Sequence, residues 1–189
     1  MILIGSATRA QESFLGMEKE YWFRGELGRK TSTADLEGEV IEEKSYAQVT
    51  PERIEQVLKD FTGPIDQLPP MYSALKFKGK PYYDYARKGV AIPRVPRSVT
   101  IHSFSLLSVD PPYWEARVVC SRGTYIRTLV EDVAERLGTC GTLVELVRER
   151  VGSFRQENAL TWHDLRVMAP QDVRPLVMPV VSEPAYAHA

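Results

Sequence analysis

Between residues 113 and 138 the hydrophobic pattern changes from a period of two to a period of about 3.6, and this change constrains the fold more than any other feature. In YWEARVVCS, every second residue from Trp114 to Cys120 can face one side of a β-strand. After Gly123, apolar residues recur at the three- and four-residue spacing of an amphipathic helix up to Leu137, and Gly138 follows as a stop signal. A strand that runs directly into such a helix predicts a helix packed on a sheet.

The rest of the chain contains strand-like and helix-like segments in no regular order. Strand composition is found in MILIG, KEYWFRGELG, the residues around Val40 and SVTIHSFSLLSVD. Helical patterns are found in SATRAQESFLG with Ser6 as its N-cap, TPERIEQVLKDFTG with Thr50 as its N-cap, PYYDYARKG, and TLVELVRERVGSF, which is expected to end in a turn and a strand. Because several strands are neighbours in sequence, we predict an α+β domain with a mixed, mostly antiparallel sheet flanked by helices.

Length and composition indicate one ordinary domain. The 189 residues are 43% hydrophobic and 26% charged, which favours a packed core over disorder. Cys120 and Cys140 lack the spacing of a zinc site and the three histidines are scattered, so we expect reduced thiols and no bound metal. The apolar stretch before Gly5 is too short for a signal peptide or a membrane span. We therefore expect a soluble, cytoplasmic, monomeric protein that does not bind membranes.

The charge of the chain is strongly uneven. The formal net charge is −1, yet residues 76–97 contain seven basic residues and a single acid, Asp84. Phe77, Tyr82, Tyr83 and Tyr85 lie between these cations. Cations neutralise phosphates and aromatic rings stack on exposed bases, so this pattern is typical of an RNA-binding surface. A solvated loop whose tyrosines cover the core fits the same composition, and both interpretations stay open at this point.

The segment RGTYIRTL places a second arginine, Arg127, at the beginning of the predicted helix. Glu131 lies four residues further on, where it can form an ordinary surface ion pair with Arg127. A catalytic arginine and a surface ion pair are both consistent with this spacing.

Five segments together resemble the TruB family of tRNA pseudouridine synthases. They are LIGSATR, EKEYWFRGELGRKTSTADLEGEV, LPPMYSALKFKGKPYYDYARKG, CSRGTYIRTLVEDVAERLG and CGTLVELVRERVGSF, in the family's order and spacing. The resemblance implies a pseudouridine-synthase-like fold and the isomerisation of uridine 55 in the T loop of tRNA to pseudouridine. The family's reaction needs no cofactor and no metal, and the target base must be flipped out of its stack. The resemblance also implies a partial catalytic domain over residues 1–169, followed at residues 170–189 by a tail or the start of a truncated appendage.

The resemblance assigns roles to individual residues. Tyr21 matches the tyrosine that stacks on the flipped base and is a candidate for deprotonating its carbon. Tyr125 matches the second aromatic residue of the pocket, and Arg127 matches the arginine that pairs with the catalytic aspartate. The residues expected to contact the T arm of the tRNA are Tyr72, Lys76, Lys78, Lys80, Arg87, Lys88 and Arg122.

The family's catalytic aspartate lies in a Gly-Thr-Leu-Asp-Pro segment, which these 189 residues do not contain. A second departure is LVRER, where the family has paired arginines and this chain has Val147 and Glu149. We expect the chain to begin after the catalytic aspartate, as a mis-started or fragmentary reading frame, as one half of a split enzyme, or as a non-catalytic protein that binds and remodels tRNA. A guide-RNA-dependent synthase acting on ribosomal RNA is a further alternative.

We also expect Arg127 to be buried and to face the place of the missing aspartate. Its nearest carboxylate in this chain is then not a well-formed bidentate partner. The chain alone is expected to be inactive, because Tyr21, Tyr125 and Arg127 cannot replace a carboxylate beside the sugar.

Overall fold

A six-stranded antiparallel sheet forms the centre of the chain, of which the computed structural model describes residues 2–179. The strands of the chain are β1 (Lys19–Leu27), β2 (Arg29–Thr31), β3 (Val40–Glu43), β4 (Gly63–Gln67), β5 (Lys76–Phe77), β6 (Lys80–Pro81), β7 (Arg97–Asp110), β8 (Tyr113–Cys120), β9 (Gly141–Val151) and β10 (Phe154–Arg155). The order in the sheet is β10-β9-β1-β8-β7-β4, and every neighbouring pair is antiparallel. The predicted α+β class with a mostly antiparallel sheet is confirmed.

Six α-helices accompany the strands in the described residues. They are α1 (Gln11–Gly16), α2 (Pro51–Asp60), α3 (Tyr82–Ala86), α4 (Ile126–Arg136), α5 (Trp162–Val167) and α6 (Pro170–Val173). The hydroxyl of Thr50 accepts a hydrogen bond from the backbone N–H of Arg53, as its predicted role as the N-cap of α2 requires. None of the helices in residues 2–179 is long and apolar enough to cross a membrane. The predicted division at residue 169 stays a prediction; α6 begins at Pro170, and residues 180–189 of the predicted tail lie outside the described residues.

The core lies between the sheet and the two helices α2 and α4. The alternating residues of β8 are all buried, and Trp114 has no exposed surface. The Trp114 ring meets the Phe23 ring of β1 edge to face, with 5.2 Å between the ring centroids. The apolar stripe of α4 from Ile126 to Leu137 is buried against them. The strand and helix predicted from the change in hydrophobic period are therefore confirmed.

The first residues do not form the predicted strand. Residues 2–4 have no regular structure, and Ile2 and Ile4 are 76% and 65% exposed. A strand needs a neighbour for its backbone hydrogen bonds, and none of the described residues pairs with this segment. The helical turn begins at Gly5, as a 3-10 helix, and Ser6 does not cap it.

TLVELVRERVGSF was predicted to be mainly helical, and this prediction is wrong. Residues 142–151 belong to β9, which pairs with β1 along its whole length, whereas the expected turn and strand at the end of the segment are present as residues 152–153 and β10. The register shifts twice, so that Val144 and Glu149 are extra residues on β9. Each bulge interrupts the period of two, because it moves the following side chains to the other face. The resulting apolar spacing imitates the period of a helix.

We predict that Gly25→Ala destabilises the protein, because Gly25 of β1 lies directly against Trp114. A methyl group at this position would lie 2.6 Å from the indole Nε1. The substitution should lower the free energy of unfolding by about 1–3 kcal/mol in urea denaturation followed by circular dichroism. Gly16→Ala is the matched control, since no atom lies within 4 Å of the added methyl group. Equal stability of the two variants would contradict the prediction.

A second prediction concerns the acidic side of α4. Burial, with Glu131 and Glu135 nearby, raises the pKa of Asp132 from 3.8 to about 6. Because its pKa is raised, the Asp132 carboxyl group binds its proton more tightly in the folded state than in the unfolded state. Its favourable contribution to stability is therefore complete below about pH 4 and is lost as the pH rises through about 6. At pH 7 the ionised carboxylate therefore opposes folding, and Asp132→Asn should stabilise the protein by about 1 kcal/mol after solvent screening.

The gain from Asp132→Asn should disappear when urea denaturation is repeated at pH 4. Asp66→Asn, at an exposed position of β4, serves as the control for the removal of a carboxylate charge. A gain of the same size at both pH values would show that the carboxylate charge is not its cause.

Candidate active site

The turn between β8 and α4 determines where Tyr125 and Arg127 lie. Gly123 has a φ of 84°, a conformation that suits glycine and lets the chain reverse directly into the helix. The Thr124 hydroxyl donates to the Ser121 carbonyl at 3.0 Å and holds the turn. Tyr125 is the N-cap residue of α4, and Arg127 lies in the first helical turn. Arg122 is exposed on the turn itself.

Arg127 is held by three groups from two distant loops. Its Nη1 donates to Asp35 Oδ2 at 2.9 Å and to the Thr33 carbonyl at 3.3 Å. Its Nη2 donates to the Tyr72 carbonyl at 2.7 Å. Charged hydrogen bonds of this kind offset the cost of taking a guanidinium partly out of water.

The expectations for Arg127 are met only in part. The side chain is 24% exposed, so it is half-buried rather than buried. Asp35 is not a bidentate partner, because its Oδ1 accepts from the Thr33 hydroxyl and the Glu37 backbone N–H. The alternative pair with Glu131 is not formed, since Glu131 lies 3.6 Å from Lys30 Nζ. The carboxylate that faces Arg127 in this chain is therefore that of Asp35.

Tyr125 is fixed through its backbone. Its N–H donates to Gln67 Oε1 at 2.8 Å, and its carbonyl accepts from Gln67 Nε2 at 3.1 Å. Gln67 ends β4 and is only 1% exposed, whereas the Tyr125 side chain is half-buried. The backbone of Tyr125 is thus held through both its N–H and its carbonyl, and the ring extends from this fixed backbone.

Tyr21 lies on β1 between Val118 of β8 and Arg148 of β9. Burial, together with the nearby Cys120 thiol, raises the pKa of the Tyr21 phenol, and the Arg148 guanidinium opposes this effect. The phenol is therefore neutral at physiological pH. A neutral ring can stack on a base and donate a hydrogen bond, but it has to lose its proton before it can accept one from carbon.

Cations surround the Tyr21 end of the sheet. Burial and the repulsion of Arg148 and Arg122 lower the pKa of Lys19. Acidic residues lie at the same end of β1 as well, because Glu18 and Glu20 both bind Arg150.

The basic segment of residues 76–97 is a small hairpin followed by α3 and an extended stretch. Lys78 and Gly79 form the turn between β5 and β6, both with positive φ. The other predicted cations of this region are exposed as well: Lys76, Lys80, Arg87 and Lys88. The carbonyl of Tyr72 binds Arg127, and its side chain is half-buried.

Two of the interleaved tyrosines have structural roles, and Tyr82 fits the alternative interpretation in which tyrosines of this segment cover the core. Tyr82 is buried and belongs to the core of this region. The Tyr85 hydroxyl donates to the Phe77 carbonyl and closes the hairpin. Tyr83 lies under Arg87, with 5.4 Å between the guanidinium carbon and the ring centroid.

Sequence reasoning missed three residues of this site: Asp35, Gln67 and Arg148. Asp35 and Arg127 are 92 residues apart, and Gln67 and Tyr125 are 58 apart, so no local spacing connects them. Arg148 was hidden by the wrong assignment of β9. Across the described residues, no group of three or more His, Cys, Asp or Glu side chains is arranged to hold a metal ion.

Comparison with known proteins places these features in a family. Residues 1–126 match the TruB family pseudouridylate synthase (N terminal domain), and residues 127–182 match the tRNA pseudouridylate synthase B C-terminal domain. A tRNA pseudouridine synthase B of Ralstonia pickettii is 44% identical over 183 residues, which are 95% of this chain and 57% of that protein. The corresponding protein of Methylobacillus flagellatus is 45% identical over 168 residues, or 89% of this chain and 55% of that protein. This chain thus spans a little over half the length of these relatives.

Solved structures support the same assignment. A crystal structure of a Cbf5-Nop10-Gar1 complex contains a chain that is 29% identical, with a TM-score of 0.61 over 84% of this chain and 38% of that one. An H/ACA RNP bound to a substrate RNA containing 2'-deoxyuridine contains a chain that is 25% identical, with a TM-score of 0.57 over 84% of this chain and 36% of that one. The motifs, the fold and these matches agree, and the chain belongs to the TruB family of pseudouridylate synthases.

Proposed function

We propose that this chain holds the T arm of tRNA and the flipped uridine 55 during its isomerisation to pseudouridine. The names of the relatives, tRNA pseudouridine synthase B, support the reaction and the substrate. The T arm and the position of the uridine come from the resemblance of the motifs around Tyr21, Tyr125 and Arg127. Uridine 55 has to leave its stack to be reached, and an aromatic ring compensates for the stacking that it loses.

The observation that carries the proposal is the arrangement around Arg127. Three of its five N–H groups are used by Thr33, Asp35 and Tyr72. The Nε–H and one Nη2–H have no partner in residues 2–179. The side chain is thus held in one orientation and still has donors for a second carboxylate, as a residue that orients a catalytic aspartate needs.

Each aromatic residue then has a distinct role. Tyr21, with its neutral phenol, supplies a ring for stacking and a hydrogen-bond donor next to Arg148. Tyr125 supplies the second ring at the beginning of α4. Burial makes Tyr21 a poor base in the free protein, and Arg148 is the group that favours loss of its proton.

The reaction also needs a carboxylate beside the sugar. Asp35 does not supply it in this arrangement, because its oxygens bind Arg127, the Thr33 hydroxyl and the Glu37 N–H. With these hydrogen bonds, the Asp35 carboxylate orients Arg127 rather than the sugar. The aspartate of a Gly-Thr-Leu-Asp-Pro segment is the group that the family uses, and its carboxylate can bind the free donors of Arg127.

We predict that the 189-residue chain by itself does not form pseudouridine. Tritium release from tRNA labelled at carbon 5 of uridine should be at least about 10⁴-fold slower than with a Gly-Thr-Leu-Asp-Pro segment of the family fused before Met1. The fusion with asparagine in place of that aspartate is the matched control and should be inactive too. Turnover by the unfused chain would show that the catalytic carboxylate lies within these residues. Tight tRNA binding without turnover by either fusion would favour the non-catalytic tRNA-binding alternative.

We also predict that the basic hairpin contacts the tRNA backbone. Replacing Lys76, Lys78 and Lys80 together by glutamine should weaken tRNA binding and reduce the slope of log K against log salt by about 2 to 3. The control variant replaces Lys44, Arg53 and Lys59, which are exposed outside the hairpin, and changes the net charge equally. Filter binding at several salt concentrations measures both. Identical slopes for the two triple variants would show that the hairpin does not contact the tRNA backbone.

A further inference from the structure

Gln67 combines almost complete burial with two hydrogen bonds to a single residue of the candidate site. Gln67 is 1% exposed, and its amide accepts from the Tyr125 N–H and donates to the Tyr125 carbonyl. We propose that Gln67 is a positioning residue, which sets the place of Tyr125 and Arg127 and thereby the capacity to hold a flipped uridine. This inference rests on the proposed function.

The N-terminus of α4 explains why such a residue is needed. Tyr125 is the N-cap residue, and no side chain of the helix caps it. In a capping box, a long polar side chain at the third helical position binds the N–H of the N-cap residue. That position is Thr128, whose buried hydroxyl forms no hydrogen bond with any described residue. Gln67 satisfies the N–H from the neighbouring strand instead.

The second bond makes the contact directional. The Tyr125 carbonyl accepts both from the Leu129 N–H, as the first bond of α4, and from Gln67 Nε2. The Gln67 amide therefore binds both the N–H and the carbonyl of Tyr125, and the two bonds restrict the translation and the rotation of the Tyr125 backbone. The Tyr125 ring is attached to this residue, so a shift of the backbone moves the ring by at least as much.

A second connection runs from the same strand end. Five residues after Gln67, the carbonyl of Tyr72 accepts from Arg127. The segment of residues 67–72 is thus tied to the first turn of α4 at Tyr125 and again at Arg127. The basic hairpin begins at Lys76, four residues after Tyr72, so this segment connects the proposed RNA-binding surface to the proposed base pocket.

Packing alone does not require a glutamine at this position. The hydrogen bonds of a buried amide add little net stability, although an apolar replacement leaves the Tyr125 N–H unpaired and so lowers the stability somewhat. An apolar side chain of similar size can fill the same space, but it cannot orient a peptide group. The function of the amide is therefore orientation, and an isosteric substitution can separate the two properties.

The experiment uses the 189-residue chain and a T-arm stem-loop RNA with 2-aminopurine next to the target uridine. Flipping of the uridine unstacks the probe and raises its fluorescence. Gln67→Leu and Gln67→Met should lower the fluorescence change at saturation about tenfold, while the overall affinity, which depends mainly on phosphate contacts, stays within about twofold. Gln56→Leu, at an exposed position of α2, is the matched control and should leave both unchanged.

The variant Gln67→Glu tests whether Gln67 has a positioning role or a purely structural one. A protonated carboxyl group has one donor and one acceptor, like the amide, whereas a carboxylate repels the Tyr125 carbonyl. Because burial raises the pKa of a carboxyl group, the fluorescence change of this variant should recover at pH 5 and be lost at pH 8. The original chain should show no such difference.

The outcomes separate this inference from the proposed function. If the original chain gives no fluorescence change with the RNA, the proposed function fails, and the inference fails with it. If the original chain flips the base and Gln67→Leu does so equally well, only the positioning role is overturned. Hydrogen exchange of the Tyr125 amide, measured by NMR, should be faster in Gln67→Leu while core amides keep their protection. If Gln67→Leu loses amide protection throughout its core, Gln67→Glu becomes the deciding variant. A fluorescence change of Gln67→Glu that is the same at pH 5 and pH 8 would then overturn the proposal.

Discussion

The close contact between α4 and the sheet is the constraint on which the candidate site depends. A methyl group at Gly141, the first residue of β9, would lie only 2.6 Å from Cβ of Ala134 in α4. The helix therefore lies as near to the sheet as a glycine allows, and its buried stripe fixes its rotation. Because Tyr125 and Arg127 are in its first turn, their positions follow from the packing of residues two to three turns away.

The sequence predicted the parts of the fold in which a local pattern carries the information. The alternation from Trp114 to Cys120 and the apolar stripe of α4 are both local, and both elements formed as expected. β9 was mistaken for a helix because two bulges in its pairing with β1 shift its side chains between faces. Such bulges are set by the partner strand, so the pattern of one strand does not reveal them.

The candidate site was predictable only where motifs supplied it. Tyr21, Tyr125 and Arg127 came from the resemblance of their segments to one family, and their environments could not be read from the sequence. Asp35 stood in a polar loop and Gln67 at the end of a short strand, with nothing in their neighbours to indicate a role. Their contacts join segments 92 and 58 residues apart and exist only once the sheet has formed. The basic segment was recognisable from composition, but the burial of Tyr82 depends on tertiary packing.

The convergence of distant segments on Arg127 has a consequence for the synthesis of the protein. The ribosome releases the segments with Thr33, Asp35 and Tyr72 well before it releases Arg127. Without Arg127, these three residues have no common hydrogen-bond donor. Nascent chains that end before α4 present the basic hairpin but lack an ordered pocket. The order of residues along the chain thus means that the contacts of Arg127 with Thr33, Asp35 and Tyr72 form only after α4 has been synthesised.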